Sequence, residues 1–213
     1  LEELLDHTGK IYKTIPSELN PITIFNDYHY RGYFSFSITK STGSFRQLLN
    51  QLINTVMEVD LQILEEDAAS NTIKMKKLMG VIAETVPFEP NISKIAGRLG
   101  LGRDTVKTYL WNLDRARLLN LISRSSKGVA ALQKPDKIFV ETSNLLYALK
   151  SGPERGTIRE TFFVNQLLND GQTVELAKAV DFIIDRKWTF EIGGPSKDTS
   201  QISDEKKAFL AID

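Results

Sequence analysis

The stretch VDFIIDRKWTFEI admits one economical strand pairing, and that pairing decides where charge must go. If Asp185, Arg186 and Lys187 form the loop, Ile184 faces Trp188, Phe182 faces Phe190 and Val180 faces Ile192, giving one continuous apolar surface. Side chains alternate along a strand, so the same register sets Asp181 opposite Glu191. A two-residue loop at Arg186 and Lys187 would instead mix Phe182 with Glu191. Two carboxylates facing each other across strands repel, and the pair is destabilising unless a cation, a proton or a lysine relieves it.

The surrounding sequence supplies candidates for that relief. GTIRETFFVNQLL reads as a helix with Ile158, Phe162, Phe163, Leu167 and Leu168 toward a core, and it carries Glu160. Lys197 follows the Gly193-Gly194-Pro195 turn. An acid pair on a sheet, a third acid on an adjacent helix and a nearby lysine form the constellation that holds Mg²⁺ in phosphodiester-cleaving enzymes. There the metal activates water and steadies the leaving oxygen. Glu160, Asp181 and Glu191 are the candidate metal ligands, and with Lys197 the candidate catalytic set. A plainer reading stands beside it: Thr157 and Glu160 as a capping box, Asp181 and Glu191 solvated, and the glycines as a turn.

Composition narrows the alternatives. Lys plus Arg equals Asp plus Glu at 27 each, so binding to nucleic acid has to rest on a local patch. No apolar run is long enough to span a bilayer, which predicts no membrane partner. There is no cysteine, hence no disulfide, thiolate metal site or cysteine nucleophile, and a cytoplasmic location is expected. No G-x-x-x-x-G-K-[ST] loop is present, so these residues do not bind nucleotide in that manner. A start at Leu1 and an end in the strand-like AFLAID lead us to expect a fragment of something longer.

The predicted class is α+β: a helical bundle and a winged helix-turn-helix, followed by a truncated α/β domain. Residues 1–87 read as helical apart from an aromatic connector, IFNDYHYRGYFSFS, whose Phe25, Tyr28, Tyr33, Phe34 and Phe36 are assigned to core. Ser44 and Gln47 read as a capping box ahead of a stripe of Leu48, Leu49, Leu52, Ile53, Val56 and Val59. Asn71 reads as the cap of a second helix packing Leu78, Met79, Ile82 and Val86. Residues 88–135 read as two helices about a Gly100 turn, with Val106, Leu110 and Leu113 inward, then a two-stranded wing around Ser125 to Gly128. Arg103, Thr105, Lys107 and Thr108 on the second helix, with Arg124 and Lys127 in the wing, are the candidate DNA contacts, although Asp104 and Asp114 share that helix. Residues 136–213 form the third zone.

KPDKIFVETSNLLYAL, GTIRETFFVNQLL, VDFIID, TFEIGGPSK, IFNDYHYRGYF and VPFEPNISKIAGRLGLGRDTVKTYLWNLDRARLL, taken together, resemble the region after the ATPase core in a group of prokaryotic AAA-type ATPases. That resemblance implies an ATP- and Mg²⁺-binding P-loop domain ahead of this region and self-association through it. It also implies a final domain resembling the restriction-endonuclease-like nucleases. The nuclease pattern places an acid on a helix, an Asp on the second strand and Glu-x-Lys on the third. Glu160, Asp181 and Glu191 match, whereas Gly193 stands at the lysine position and Lys197 is the nearest substitute. A regulatory, nucleic-acid-facing portion of such an ATPase is the leading expectation. A Mg²⁺-dependent nuclease and a protein-interaction or oligomerisation module are the alternatives.

Overall fold

Asn20 and Pro21 start a helix where the sequence reading placed a connector. In the computed structural model, which describes residues 13–60, 68–124, 135–178, 180–194, 196–197 and 208–212, α1 spans Pro21–Arg31. The Asn20 carboxamide accepts from the Thr23 N–H at 3.1 Å, and proline needs no donor in the first turn. These local signals outweigh the aromatic composition. His29, not Phe25 or Tyr28, is the buried member of α1, while Phe34 and Phe36 beyond it pack against the first core.

Helix α2 (Thr42–Thr55) is capped by Ser41, so Ser44 lies inside the helix and does not open it. A wider π turn at Val56–Asp60 changes the phase of the buried stripe. Met57 is consequently buried and Val59 is 53% exposed, contrary to the expected pattern. Helix α3 (Ala68–Thr85) begins before Asn71, which is therefore not its cap, and buries Leu78, Met79 and Ile82.

Helix α4 (Ile92–Leu99) is capped by the Asn91 side chain and ends at Gly100, whose φ of 64° suits glycine. Helix α5 (Arg103–Arg115) turns Val106, Tyr109, Leu110 and Leu113 inward. Strand β1 (Leu119–Ile122) pairs antiparallel with β2 (Lys137–Val140), from Leu119 opposite Val140 to Ile122 opposite Lys137. Phe88 bridges Ile138 on the free edge. The boundary expected at 135 and 136 thus falls within a paired hairpin. Of the expected wing tip, Ser125, Ser126, Lys127 and Gly128 lie outside the described residues.

The alternation of β2 makes it a wall shared by two cores. Ile138 and Val140 join the core formed with α2 to α5, and Phe139 points into the second. Burying a ring such as Phe139 stabilises the fold by about 2–3 kcal/mol. Helix α6 (Ser143–Leu149) and helix α7 (Arg155–Asn169) follow. Then come β3 (Val174–Leu176), β4 (Phe182–Ile184), β5 (Trp188–Gly193) and β6 (Ala208–Ile212), hydrogen-bonded in that order. The first three form an antiparallel meander, and β6 lies parallel to β5. Phe182 faces Phe190 and Ile184 faces Trp188, the register deduced from the apolar alternation.

Asp185 and Arg186 take positive φ in the hairpin loop. Asp185 Oδ1 accepts from the Thr173 N–H at 2.7 Å, and Arg186 bonds Glu175 through Nε and Nη2, which offsets that backbone cost. Among the described residues no helix is long and apolar enough to cross a membrane.

Candidate functional site

Asp181 immediately precedes β4 and Glu191 lies in β5, one step along from the Phe182–Phe190 pair, so both carboxylates leave the sheet on the same side. Asp181 Oδ2 accepts the Ile192 N–H at 2.8 Å. Glu191, 4% exposed, meets the Lys197 ammonium at 2.5 Å. Glu160 projects from α7 and meets Lys137 of β2 at 2.5 Å, each side chain about one-fifth exposed. The expected capping box does not form: α7 starts at Arg155, Thr157 is buried inside it, and Glu160 engages Lys137.

The charges act as a group. Burial pushes the Glu160 carboxyl above the usual range; Lys137 draws it down, and Asp181 and Glu191 push it further up. Burial likewise raises Asp181, opposed by the Ile192 N–H and reinforced by the charge of Glu191. Three carboxylates and two ammonium groups therefore share one desolvated region. Among the described residues no three acids or histidines converge tightly enough to hold a metal ion. As placed, Glu160, Asp181 and Glu191 fit ammonium partners better than a shared cation.

The glycine turn explains how Lys197 reaches Glu191. A Cβ on Gly193 would lie 2.6 Å from both Cβ and Cγ of Lys197, so the lysine stem occupies the space that a side chain at 193 would need. A Cβ on Gly194 would lie 3.1 Å from both terminal nitrogens of Arg159. Lys137 escaped the sequence reading. Its signal was present, because it shares a face with Phe139 two residues on, but the pairing of β2 beside α7 was not readable. Its ammonium sits 5.2 Å from the Phe139 ring centroid and 5.9 Å from that of Phe182.

The α5 surface is organised differently. Arg103 and Thr108 are exposed, while Thr105 and Lys107 are half-buried. Arg103 and Lys107 line an open groove with Asn91, Ser93, Glu89 and Asp136. Lys107 pairs with Asp104 at 3.2 Å and Arg124 with Glu89 at 3.1 Å. The structure thus gathers two predicted cations at one groove and neutralises part of their charge. Lys127 lies outside the described residues.

A second buried acid was also missed. Glu141, just past β2, receives Arg117 at 2.9 Å and the Asn165 amide at 3.2 Å on Oε1, while its buried Oε2 has no hydrogen-bond partner among the described residues. No periodic or motif signal marks it, since ETSN reads only as a helix start.

The fold and these centres define a mixed α+β protein with a helix pair, a small hairpin and a four-stranded sheet. The chain belongs to the family described as a domain of unknown function, DUF8612, whose family model matches residues 22–155. That span includes Lys137 and Glu141 and stops short of Glu160, Asp181 and Glu191. No curated protein and no solved structure matches the chain.

Proposed function

We propose that the chain is a nucleic-acid-facing regulatory module working with an AAA-type ATPase domain, in which a winged helix is joined to a restriction-endonuclease-like domain that does not cleave. The observation that carries the non-cleaving reading is the occupation of Glu160 and Glu191 by Lys137 and Lys197, which leaves the acids charge-satisfied without Mg²⁺. The domain assignment is supported by order along the chain: an acid on α7, Asp181 at the second strand, Glu191 on the third. The winged-helix reading is supported by α4, the Gly100 turn, α5 and the antiparallel β1–β2 pair. Arg103 and Lys107 would meet phosphates, and ATP with Mg²⁺ would belong to a P-loop domain outside these residues. The ATPase association rests on the sequence resemblance.

Duplex DNA binding measured against salt, together with plasmid nicking and melting in Mg²⁺ or Mn²⁺, tests this reading. We expect binding that falls with salt and weakens in Arg103→Ala plus Lys107→Ala, no nicking, and no metal-dependent rise in Tm. Salt-insensitive or absent binding would favour a protein-interaction module. The competing reading, a Mg²⁺-dependent nuclease, draws on one observation: Lys197 fills the side-chain space at Gly193 and so supplies an ammonium beside Glu191 where the nuclease pattern has one. Nicking together with metal-induced stabilisation would establish that alternative.

A further inference from the structure

The outward face of α5 carries a large aromatic ring that phosphate contacts leave unused. Arg103, Lys107, Trp111 and Arg115 recur at every fourth position, so they wind along that face as one stripe. Val106, Tyr109, Leu110 and Leu113 point the other way, into the first core. Trp111 belongs to neither core and is 37% exposed, whereas the second tryptophan, Trp188, is 8% exposed. An indole left in water forgoes the stabilisation that burial gives so large a side chain.

The ring is also held in place. The Arg115 guanidinium lies over it, 4.6 Å from the ring centroid. Neither Arg103 nor Arg115 forms an ion pair among the described residues, and the Asp104 side chain that meets Lys107 is 97% exposed. The stripe therefore keeps most of its positive charge beside a fixed aromatic plane. Phosphates and bases draw on these two features differently. Cations by themselves favour a duplex over a single strand, because the duplex has the denser phosphate charge. An aromatic face gains from a base only where that base is unpaired and open to stacking. Trp111 stands just over two turns beyond Arg103, about 12 Å along the helix axis, so a strand held by its phosphates at the groove can extend its bases to the indole. We propose that this stripe binds single-stranded nucleic acid, with Arg103 and Lys107 on phosphates and the stacked Trp111 and Arg115 as the platform for an unpaired base. The inference rests on the nucleic-acid reading of the same face and adds to it a preference for unpaired bases.

The test is titration of the full chain with a labelled, unstructured DNA strand of a dozen nucleotides and with the duplex made by annealing its complement, read by anisotropy and by tryptophan emission. Wild type should bind the strand several-fold more tightly than the duplex, and the strand should quench the emission of Trp111, since Trp188 lies in the second core. Trp111→Ala should lose about tenfold in affinity for the strand, together with the quenching, while its affinity for the duplex changes little. Trp111→Phe keeps a stacking face and should recover part of the loss, and because the ring is exposed both variants should melt close to wild type. Duplex binding at least as tight as strand binding, or equal strand affinity in wild type and Trp111→Ala, overturns the proposal. If salt-dependent duplex binding nonetheless weakens in Arg103→Ala plus Lys107→Ala, the nucleic-acid reading stands without it. Binding of neither probe overturns both.

Discussion

The seam at Glu141–Asn144 and the cluster at Glu160, Asp181 and Glu191 both bury polar groups, yet they secure them by opposite means. At the seam the partners are planar and directional. Asn144, 0% exposed, donates to the Tyr28 and His29 carbonyls at 2.9 and 2.7 Å and accepts the Tyr33 N–H at 2.8 Å. Glu141 is held by a guanidinium and an amide. In the cluster the partners are two ammonium groups on flexible stems. A guanidinium or amide fixes orientation, whereas an ammonium is a mobile point charge that exchanges partners at low cost. The seam is therefore suited to joining α1 to α6 and α7, and the cluster to a site whose contacts can change.

The largest effect should come from Asn144→Ala. It strands the buried His29 carbonyl and the part-buried Tyr33 N–H, and removes one of two donors from the Tyr28 carbonyl, which keeps the Gly32 N–H. Unmade buried hydrogen bonds cost on the order of 1 kcal/mol or more apiece, so a loss of about 4 kcal/mol is expected in urea denaturation. A loss below about 1 kcal/mol would mean that the seam is no more rigid than the cluster.

Glu141 gives the next effect, through pH. Burial pushes its carboxyl up to about 7, against the opposing pull of Arg117 and Asn165. The folded state then keeps a proton that the unfolded chain releases near the ordinary glutamate value. That contribution is full below a pH of about 4 and is lost as pH rises through 7, amounting to at most about 3 kcal/mol. Asp114, Glu160 and Asp181 are shifted the same way and steepen the decline. Glu141→Gln should flatten the stability profile between pH 5 and pH 8 in urea titrations. An unchanged slope would place the titration in the cluster instead of the seam.

What could be read in advance follows the range of each interaction. Apolar alternation was enough to set Phe182 against Phe190 and to bring Asp181 to Glu191, because register is a local property of one hairpin. The Gly100 turn was legible for the same reason. The errors at α1, α2 and α3 were errors of competing local signals, where Asn20-Pro21 and Ser41 prevailed over aromatic content and a plausible capping box. Lys137 and Glu141 could not be assigned to their centres because their partners lie 23 and 24 residues away on another element. Arg159 against Gly194 depends on the helix approaching the sheet, which no spacing in the sequence reveals.

The smallest effect should distinguish an exchangeable charge from a fixed joint. Lys137→Met keeps an apolar stem near Phe139 and Phe182 but leaves Glu160, Asp181 and Glu191 with Lys197 as their ammonium. Because Lys137 and Glu160 are each about one-fifth exposed, water screens part of the loss, and about 1 kcal/mol is expected at pH 7. At pH 5 more of Glu160 is protonated, since its carboxyl is already raised, and an uncharged acid does not need the ammonium. The penalty should therefore shrink on acidification. Paired urea curves at pH 5 and pH 7 measure it. A penalty that stays constant across that range would show that Lys137 acts through packing, and the cluster would then be as structurally committed as the seam.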